Sequence, residues 1–317
     1  SLGNAEIRFD SNQYFPGFFD TIAIFFTKIF PKKYTINALH LFNTTFSILT
    51  IIGVYKFSKI IFNKTIGYIL AILLYFNPIF FGHMAINSKD AIISFAFIWT
   101  FVTLLRYLKV QNNKEKRKKL IIYASLFIGI GLGTRIQFIG LLFFLLPYIF
   151  FNNNIKSKVF SFKKFFRDTF IILVSAYFIM ISFWPHVHSN IFLEPFKIFI
   201  ETFNIKAGPP VLLFDGKTVA VTDVPINYIF TNLFYKTPEF IIFLYLFFFL
   251  TILIDLKFYN KHFKNLLIIL LIVFLIIIFP TLLIIFSNMG FYDGIRYFLF
   301  IIPFFLMLPS LSIYYIF

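Results

Sequence analysis

The chain contains no cysteine in its 317 residues, which excludes a disulfide framework and any thiolate metal site. It is also poor in charge: Asp, Glu, Lys and Arg make up 13% of it, against 60% hydrophobic residues and a mean hydropathy of +0.87. Those proportions exclude a soluble globular domain. A charged leader followed by a short apolar run is missing too. The chain starts at Ser1 and stops inside an apolar run at 314–317, which reads as a fragment of a longer protein with at least one span preceding it. No internal repeat of the inverted-topology transporter kind is visible, and the interiors of the apolar runs hold almost no ionisable side chain. The 53 Phe residues accompany many Ile, Lys, Asn and Tyr, the bias of an AT-rich genome, and carry no functional weight.

What is present is a series of apolar runs. With a ruler of about 20 residues per spanning helix, shorter where the bilayer thins, about nine spans are expected near 38–55, 66–81, 91–108, 120–134, 138–151, 169–184, 240–254, 266–286 and 295–317. The fold class is therefore all-α, a polytopic helical bundle forming one domain over 1–317. A formal charge of +16 would suggest nucleic acid in a soluble protein; here the distribution matters more than the sum. Simple alternation of the spans puts the basic connections 56–64, 109–119, 156–167 and 257–264 on one side, which the positive-inside rule makes cytoplasmic and which faces anionic lipid rather than nucleic acid. The other side receives most of the acid. The segment 18–30 is too short and too polar, at Asp20 and Lys28, to span, and is expected as an interfacial helix on that outer side. The outer connection 186–239, rich in Pro and Gly, is expected to be a structured loop with short helices at most.

The unusual polar residues gather on the outer face. In "NPIFFGHMAINSKDA", His83, Asn87, Lys89 and Asp90 separate two apolar runs. A charged group costs about 2.5–3.5 kcal/mol at the centre of a membrane helix, so this cluster belongs at a membrane face. A plain reading makes Asn87 or Ser88 a helix cap and Asp90 a complement to the helix dipole. Lys89 has the wrong sign for that, and a bound anion would reconcile the two. Arg135 follows "GIGLGT", whose glycines read as a close helix contact rather than a phosphate loop. In "YDGIRYFLFIIP", Asp293 and Gly294 form a turn and Arg296 opens the last span, with a turn-fixing Asp–Arg pair as the bland alternative. His186 and His188, in "FWPHVHS", lack a third metal ligand nearby and read as interfacial anchors, as do His40 and His262; no metal site is assigned.

Taken in order, "YFPGFFD", "NPIFFGHMAINSKDA", "GLGTRIQFIGLL", "FWPHVHSNIFLEPF", "FDGKTVAVTDVPINYIFTNLFYKTP" and "YDGIRYFLFIIP" resemble the multi-pass glycosyltransferases of the GT-C superfamily. Within it they resemble the glycosyltransferase family 39, protein-mannosyltransferase-like bacterial enzymes. The resemblance covers most of the chain. It implies a polyprenyl-phosphate sugar donor, a lipid, glycan or protein acceptor, and transfer on the outer face of a bacterial cytoplasmic membrane. By resemblance Asp90 matches the acidic residue of the second outer loop, with Lys89 and His83 beside it; Arg135 and Arg296 match basic positions facing the donor phosphate; and "GKTVAVTDVP", with Asp223, matches a loop over the site, Tyr228 having no assigned role. The family's acidic pair of the first outer loop is not reproduced by Glu6 and Asp10.

The expected site is thus Asp90 and Asp10 as catalytic carboxylates, the general base lying at Asp10 or upstream of residue 1. Lys89, Arg135 and Arg296 are expected on the donor phosphate, and His83, Asn87, Asp223 and Asp293 on substrate. No cofactor is assigned, and the carboxylates leave a divalent cation open. The rival classes are a transporter or flippase of a lipid-linked substrate and a non-catalytic membrane subunit.

Overall fold

The computed structural model describes residues 15–145, 160–204, 210–221, 223–263, 265–286 and 294–317. Short polar side chains start many of its helices. Asn63, Asn77, Asn113, Ser161 and Asp255 each accept the backbone N–H three residues on, satisfying one of the donors that a helix start leaves unpaired.

The first half comprises α1 (Phe18–Thr27), α2 (Thr35–Ile61), α3 (Lys64–Tyr75), α4 (Pro78–His83), α5 (Ser88–Val110), α6 (Lys114–Thr134), α7 (Phe138–Leu141), continued by a 3₁₀ turn at Leu142–Leu145, and α8 (Phe162–Ser182). The second comprises α9 (Leu193–Glu201), strands β1 (Val211–Phe214) and β2 (Lys217–Ala220), α10 (Tyr228–Lys236), α11 (Glu239–Ile254), α12 (Leu256–His262) and α13 (Leu266–Phe286). It ends in a broken helical series: a 3₁₀ segment Arg296–Ile301, α14 (Ile302–Phe305) and α15 (Met307–Ile316).

Among the described residues five helical stretches are long and apolar enough to cross a membrane: Lys32–Ile61, Ser88–Val110, Phe162–Ser182, Leu266–Phe286 and Arg296–Ile316. A sixth appears if α10 and α11, bent by 110°, are taken as one broken span. Nine were expected, and the other expected runs fall in helices that are shorter or more polar, or extend outside the described residues. Helix α3 has 12 residues, roughly 18 Å of rise; α6 spends its first turns on Lys114–Lys119; and the expected span at 138–151 is described only as far as residue 145.

Helix α5 is the axis of the bundle. Fifteen of its 23 residues are buried, because α2, α6 and the 296–301 segment cover it on several sides. In a lipid environment apolar area gains little by leaving the solvent, so packing must hold such a helix. Phe97 and Phe101 meet each other, Phe57, Phe300 and Phe304 with ring centroids 4.7–5.7 Å apart, mostly edge to face, each pair worth about 0.5–1.5 kcal/mol beyond area. Small residues permit the approach: a Cβ on Gly131 would sit 2.5 Å from the Phe138 ring, and one on Gly129 2.8 Å from Ile179. The non-helical backbone at Phe298 lies inside this packing, where irregular structure is tolerated at membrane depth.

Contacts sort the connections to two ends as alternation of the spans requires. At the basic end Gln111 bonds the backbone of Ser161, and the Phe62 and Phe263 rings lie 5.3 Å apart. At the other end Gly17 N–H donates to the Phe183 carbonyl at 2.7 Å, Asn43 to Ala85 at 2.9 Å, and Asn87 to Arg296 at 3.3 Å. The expected interfacial helix is α1, held to this end by Phe18 and Ala23.

The 186–239 connection departs from the expectation of short helices at most. It carries a β-hairpin whose register pairs Val211 with Ala220 and Phe214 with Lys217. Asp215 (φ 50°) and Gly216 (φ 71°) occupy the two-residue turn, the left-handed pair that matches the twist of the strands, so "FDGK" is the signal for it.

Candidate functional site

Four chain segments meet at the acidic end to build one cluster. Helix α6 ends at Thr134, after which Arg135 turns extended (φ −149°, ψ 121°) while its N–H still bonds the Gly131 carbonyl at 2.9 Å. This swings the side chain onto α5, where an Arg135 Nη2 lies 2.8 Å from Oδ1 of Asp90. Asp90 is 3% exposed, too buried for its carboxylate to serve as an ordinary solvated helix-start charge. Its other oxygen, Oδ2, lies 4.0 Å from Nε of Arg296.

Arg296 arrives from the opposite end of the sequence. Gly294 (φ 66°) makes the turn before it, and the Gly294 N–H donates to the Tyr228 hydroxyl at 2.9 Å. Tyr228 in turn packs on Phe214 of the hairpin at 5.2 Å, so the loop is tied to the turn that delivers Arg296. Asn87 stands at the cap position of α5, but its side-chain N–H₂ donates to the Arg296 carbonyl instead of capping the helix. Next to Arg296, Tyr297 lies beneath both guanidinium groups, 4.9 Å from that of Arg135 and 5.1 Å from that of Arg296. Such cation–π contacts contribute about 0.5–2 kcal/mol each, more as the site dries.

The last cation is Lys89, whose Nζ lies 3.7 Å from Asp20 Oδ2 on α1 and 5.2 Å from the Phe15 ring. Among the described residues, two carboxylates against three cations leave the cluster with a formal charge of +1. The cations are partly open, 22% for Arg135, 33% for Arg296 and 28% for Lys89, whereas Asp90 is closed beneath them. The arrangement can therefore accept an anion at the head of the bundle, with planar guanidinium forks suited to phosphate oxygens.

The structure brings together Lys89, Asp90, Arg135, Arg296 and Asn87 of the expected residues. His83 ends α4, half-buried, with its carbonyl accepting the Asn87 N–H at 3.1 Å. Asp223 follows the hairpin, exposed, and among the described residues no ion pair joins it to the cluster. Asp10 and Asp293 lie outside the described residues, so the suggested Asp293–Arg296 pair does too. His188 is taken up by the Ile181 carbonyl at 2.8 Å and His40 by that of Ala85 at 3.0 Å. Among the described residues no three His, Asp or Glu side chains gather for a metal ion.

Three residues escaped the sequence reading: Tyr297, Tyr228 and Asp20. Tyr297 adjoins Arg296 in "GIRYF", the one available hint of stacking. The polarity of Asp20, read as a reason for 18–30 not to span, was also the hint that it needs a cation. Nothing in the sequence points to the Tyr228 contact with Gly294.

In comparison with solved structures, the fold is similar to that of ArnT from Cupriavidus metallidurans in the apo state. The TM-score is 0.62 at 12% identity, over 94% of this chain and 49% of that one. The chain thus spans about half the length of that protein, and at this identity the likeness is one of fold. Comparison with curated proteins gave no match. Residues 16–187, more than half of the chain and including α1, Lys89, Asp90 and Arg135, match the family described as dolichyl-phosphate-mannose-protein mannosyltransferase. The chain belongs to that family, within the GT-C superfamily of membrane glycosyltransferases.

Proposed function

We propose that the protein transfers a sugar from a polyprenyl-phosphate donor to an acceptor hydroxyl at the extracytoplasmic face of a bacterial cytoplasmic membrane. The observation that carries this reading is the shared Asp90 carboxylate beneath the guanidinium groups of Arg135 and Arg296, both resting on Tyr297. The acceptor oxygen attacks the anomeric carbon as the bond from that carbon to the phosphate oxygen breaks, and the phosphate leaves with the electron pair. Arg135, Arg296 and Lys89 are positioned to stabilise the charge that grows on it. Asp90 acts through them, holding two like charges close together and aimed the same way.

Asp10 is proposed, on sequence alone, as the carboxylate that takes the acceptor proton. Asn87 sets the Arg296 backbone, and His83, Asp223 and Asp293 are assigned to substrate hydroxyls. A prenyl chain would lie among the lipid-facing helices below the cluster, and the basic end opposite fits the cytoplasmic side.

The test is the full-length protein reconstituted with radiolabelled polyprenyl-phosphate hexoses, comparing wild type with Arg296→Gln. Acceptor-dependent release of polyprenyl phosphate, reduced about 10²–10³-fold in the variant, is the expected result for losing a donor to the developing charge. Label crossing the bilayer intact would mean a flippase, and unchanged turnover in the variant would remove Arg296 from the site.

A further inference from the structure

A second polar knot lies at the basic end, beside a cavity that the proposed reaction does not use. Asp168, 1% exposed at the start of α8, accepts from Nε and Nη2 of Arg167 at 3.1 and 2.8 Å and from the Tyr107 hydroxyl at 2.9 Å. Arg167 is on Oδ1, and Nε of Arg117, on α6, lies 3.4 Å from Oδ2, the oxygen that the Tyr107 hydroxyl also reaches. Among the described residues, one carboxylate thus faces two guanidinium groups, with a surplus of +1. Lys164, bonded to Asn112 at 3.0 Å, stands one turn away on α8. The Arg167 side chain is 56% exposed despite its pairing, so part of its fork remains open.

Tyr107 also walls a cavity of about 280 Å³ between α5, α6, α7 and α8, whose other walls include Leu104, Leu142, Phe165, Thr169 and Leu173. This is close to the lower end of ligand pockets, room for one narrow chain rather than a ring system. Three of its residues, Ile139, Phe143 and Leu173, are 41%, 65% and 39% exposed, so it opens sideways to the bilayer. Along α5, Tyr107 is 17 residues from Asp90, roughly 26 Å of helix rise, which separates the cavity's basic end from the outer cluster.

We propose that this cavity holds one acyl chain of an anionic phospholipid from the leaflet at the basic end, its head-group phosphate on Arg167 and Lys164. The charge surplus selects the anion, and the lateral opening admits the chain without exposing it to water. Pairing with Asp168 fixes Arg167 in advance, which lowers the ordering cost of binding.

The experiment uses the protein in phosphatidylcholine nanodiscs with a trace of mid-chain diazirine phosphatidylglycerol or the matching phosphatidylcholine. Irradiation and peptide mapping should show the cavity-lining segments of α5, α7 and α8 labelled several-fold more by the anionic probe. Arg167→Gln combined with Lys164→Gln should bring that labelling down to the phosphatidylcholine level, and Leu173→Trp should suppress both probes at the cavity. Equal labelling by the two probes in the wild type overturns the proposal. Displacement of the label by equimolar polyprenyl phosphate overturns it too, by giving the cavity to the tail of a prenyl donor.

Discussion

Replacing Asp90 with Asn keeps the shape of the side chain and removes the charge that two arginines share. At an effective dielectric near 20, the attraction at 2.8 Å is about 6 kcal/mol and that at 4.0 Å about 4 kcal/mol, before desolvation is subtracted. Asp90 is closed off while the arginines stay partly open, so much of that gross figure offsets the cost of burying the carboxylate. Removing one partner of a buried pair leaves a net loss of about 3–5 kcal/mol. In a thermal melt in nanodiscs this corresponds to a midpoint lowered by roughly 5–15 °C. A double-mutant cycle isolates the pair: Asp90→Asn, Arg135→Gln and the double variant should show a coupling of about 2 kcal/mol or more, since the double variant no longer strands the Arg135 guanidinium against the neutral amide, while Arg296 is present throughout the cycle and cancels. A coupling within about 0.5 kcal/mol of zero, the scatter for independent sites, would refute the claim that Asp90 holds Arg135.

Other perturbations separate stability from binding. Lys89→Gln breaks a partly exposed pair with Asp20 and a cation–π contact with Phe15, so it should shift stability by at most about 2 kcal/mol yet weaken capture of polyprenyl phosphate in a binding assay. Tyr297→Phe keeps the stacking face and should retain activity, whereas Tyr297→Leu loses two cation–π contacts and should cost about 1–4 kcal/mol, read as a raised KM together with a lower melting point. Gly294→Ala forces a side chain onto a backbone at φ 66° and places its Cβ 2.5 Å from the Lys236 Nζ and 2.8 Å from Asn232; a fall of several degrees in the melt is expected, with Tyr228→Phe showing a smaller fall of the same kind. Gly131→Val should disturb the α6–Phe138 contact by about 1–3 kcal/mol, measured in the same assay.

The helices were legible because lipid demands long apolar runs and punishes charge within them. The stretch expected at 91–108 lies inside α5, that at 38–55 inside α2, and 266–286 coincides with α13. The hairpin was missed because its four-residue strands are shorter than the periodicity needed to announce them, although Asp215–Gly216 carried the turn chemistry. At the site, three cations stood out for the same reason as the spans: charge is scarce here, so each instance has a cause. What they touch was not legible. Asn87 and Arg296 are 209 residues apart, and the approach of Arg296 to Asp90 depends on how the last helical series crosses α5. Local spacing does not encode that crossing.

Helix α5 is fastened at both ends, by Asp90 to the arginines and by Tyr107 and Gln111 to the start of α8 and the residue before it. A rod pinned this way cannot slide along the membrane normal without breaking a knot at one end. When bilayer thickness changes, mismatch must be taken up elsewhere, by tilt of lipid-facing helices such as α13 or by deformation of the lipid around them. The depth of the Asp90 cluster is then a property of the protein's own length, held constant against its surroundings like a fixed gauge.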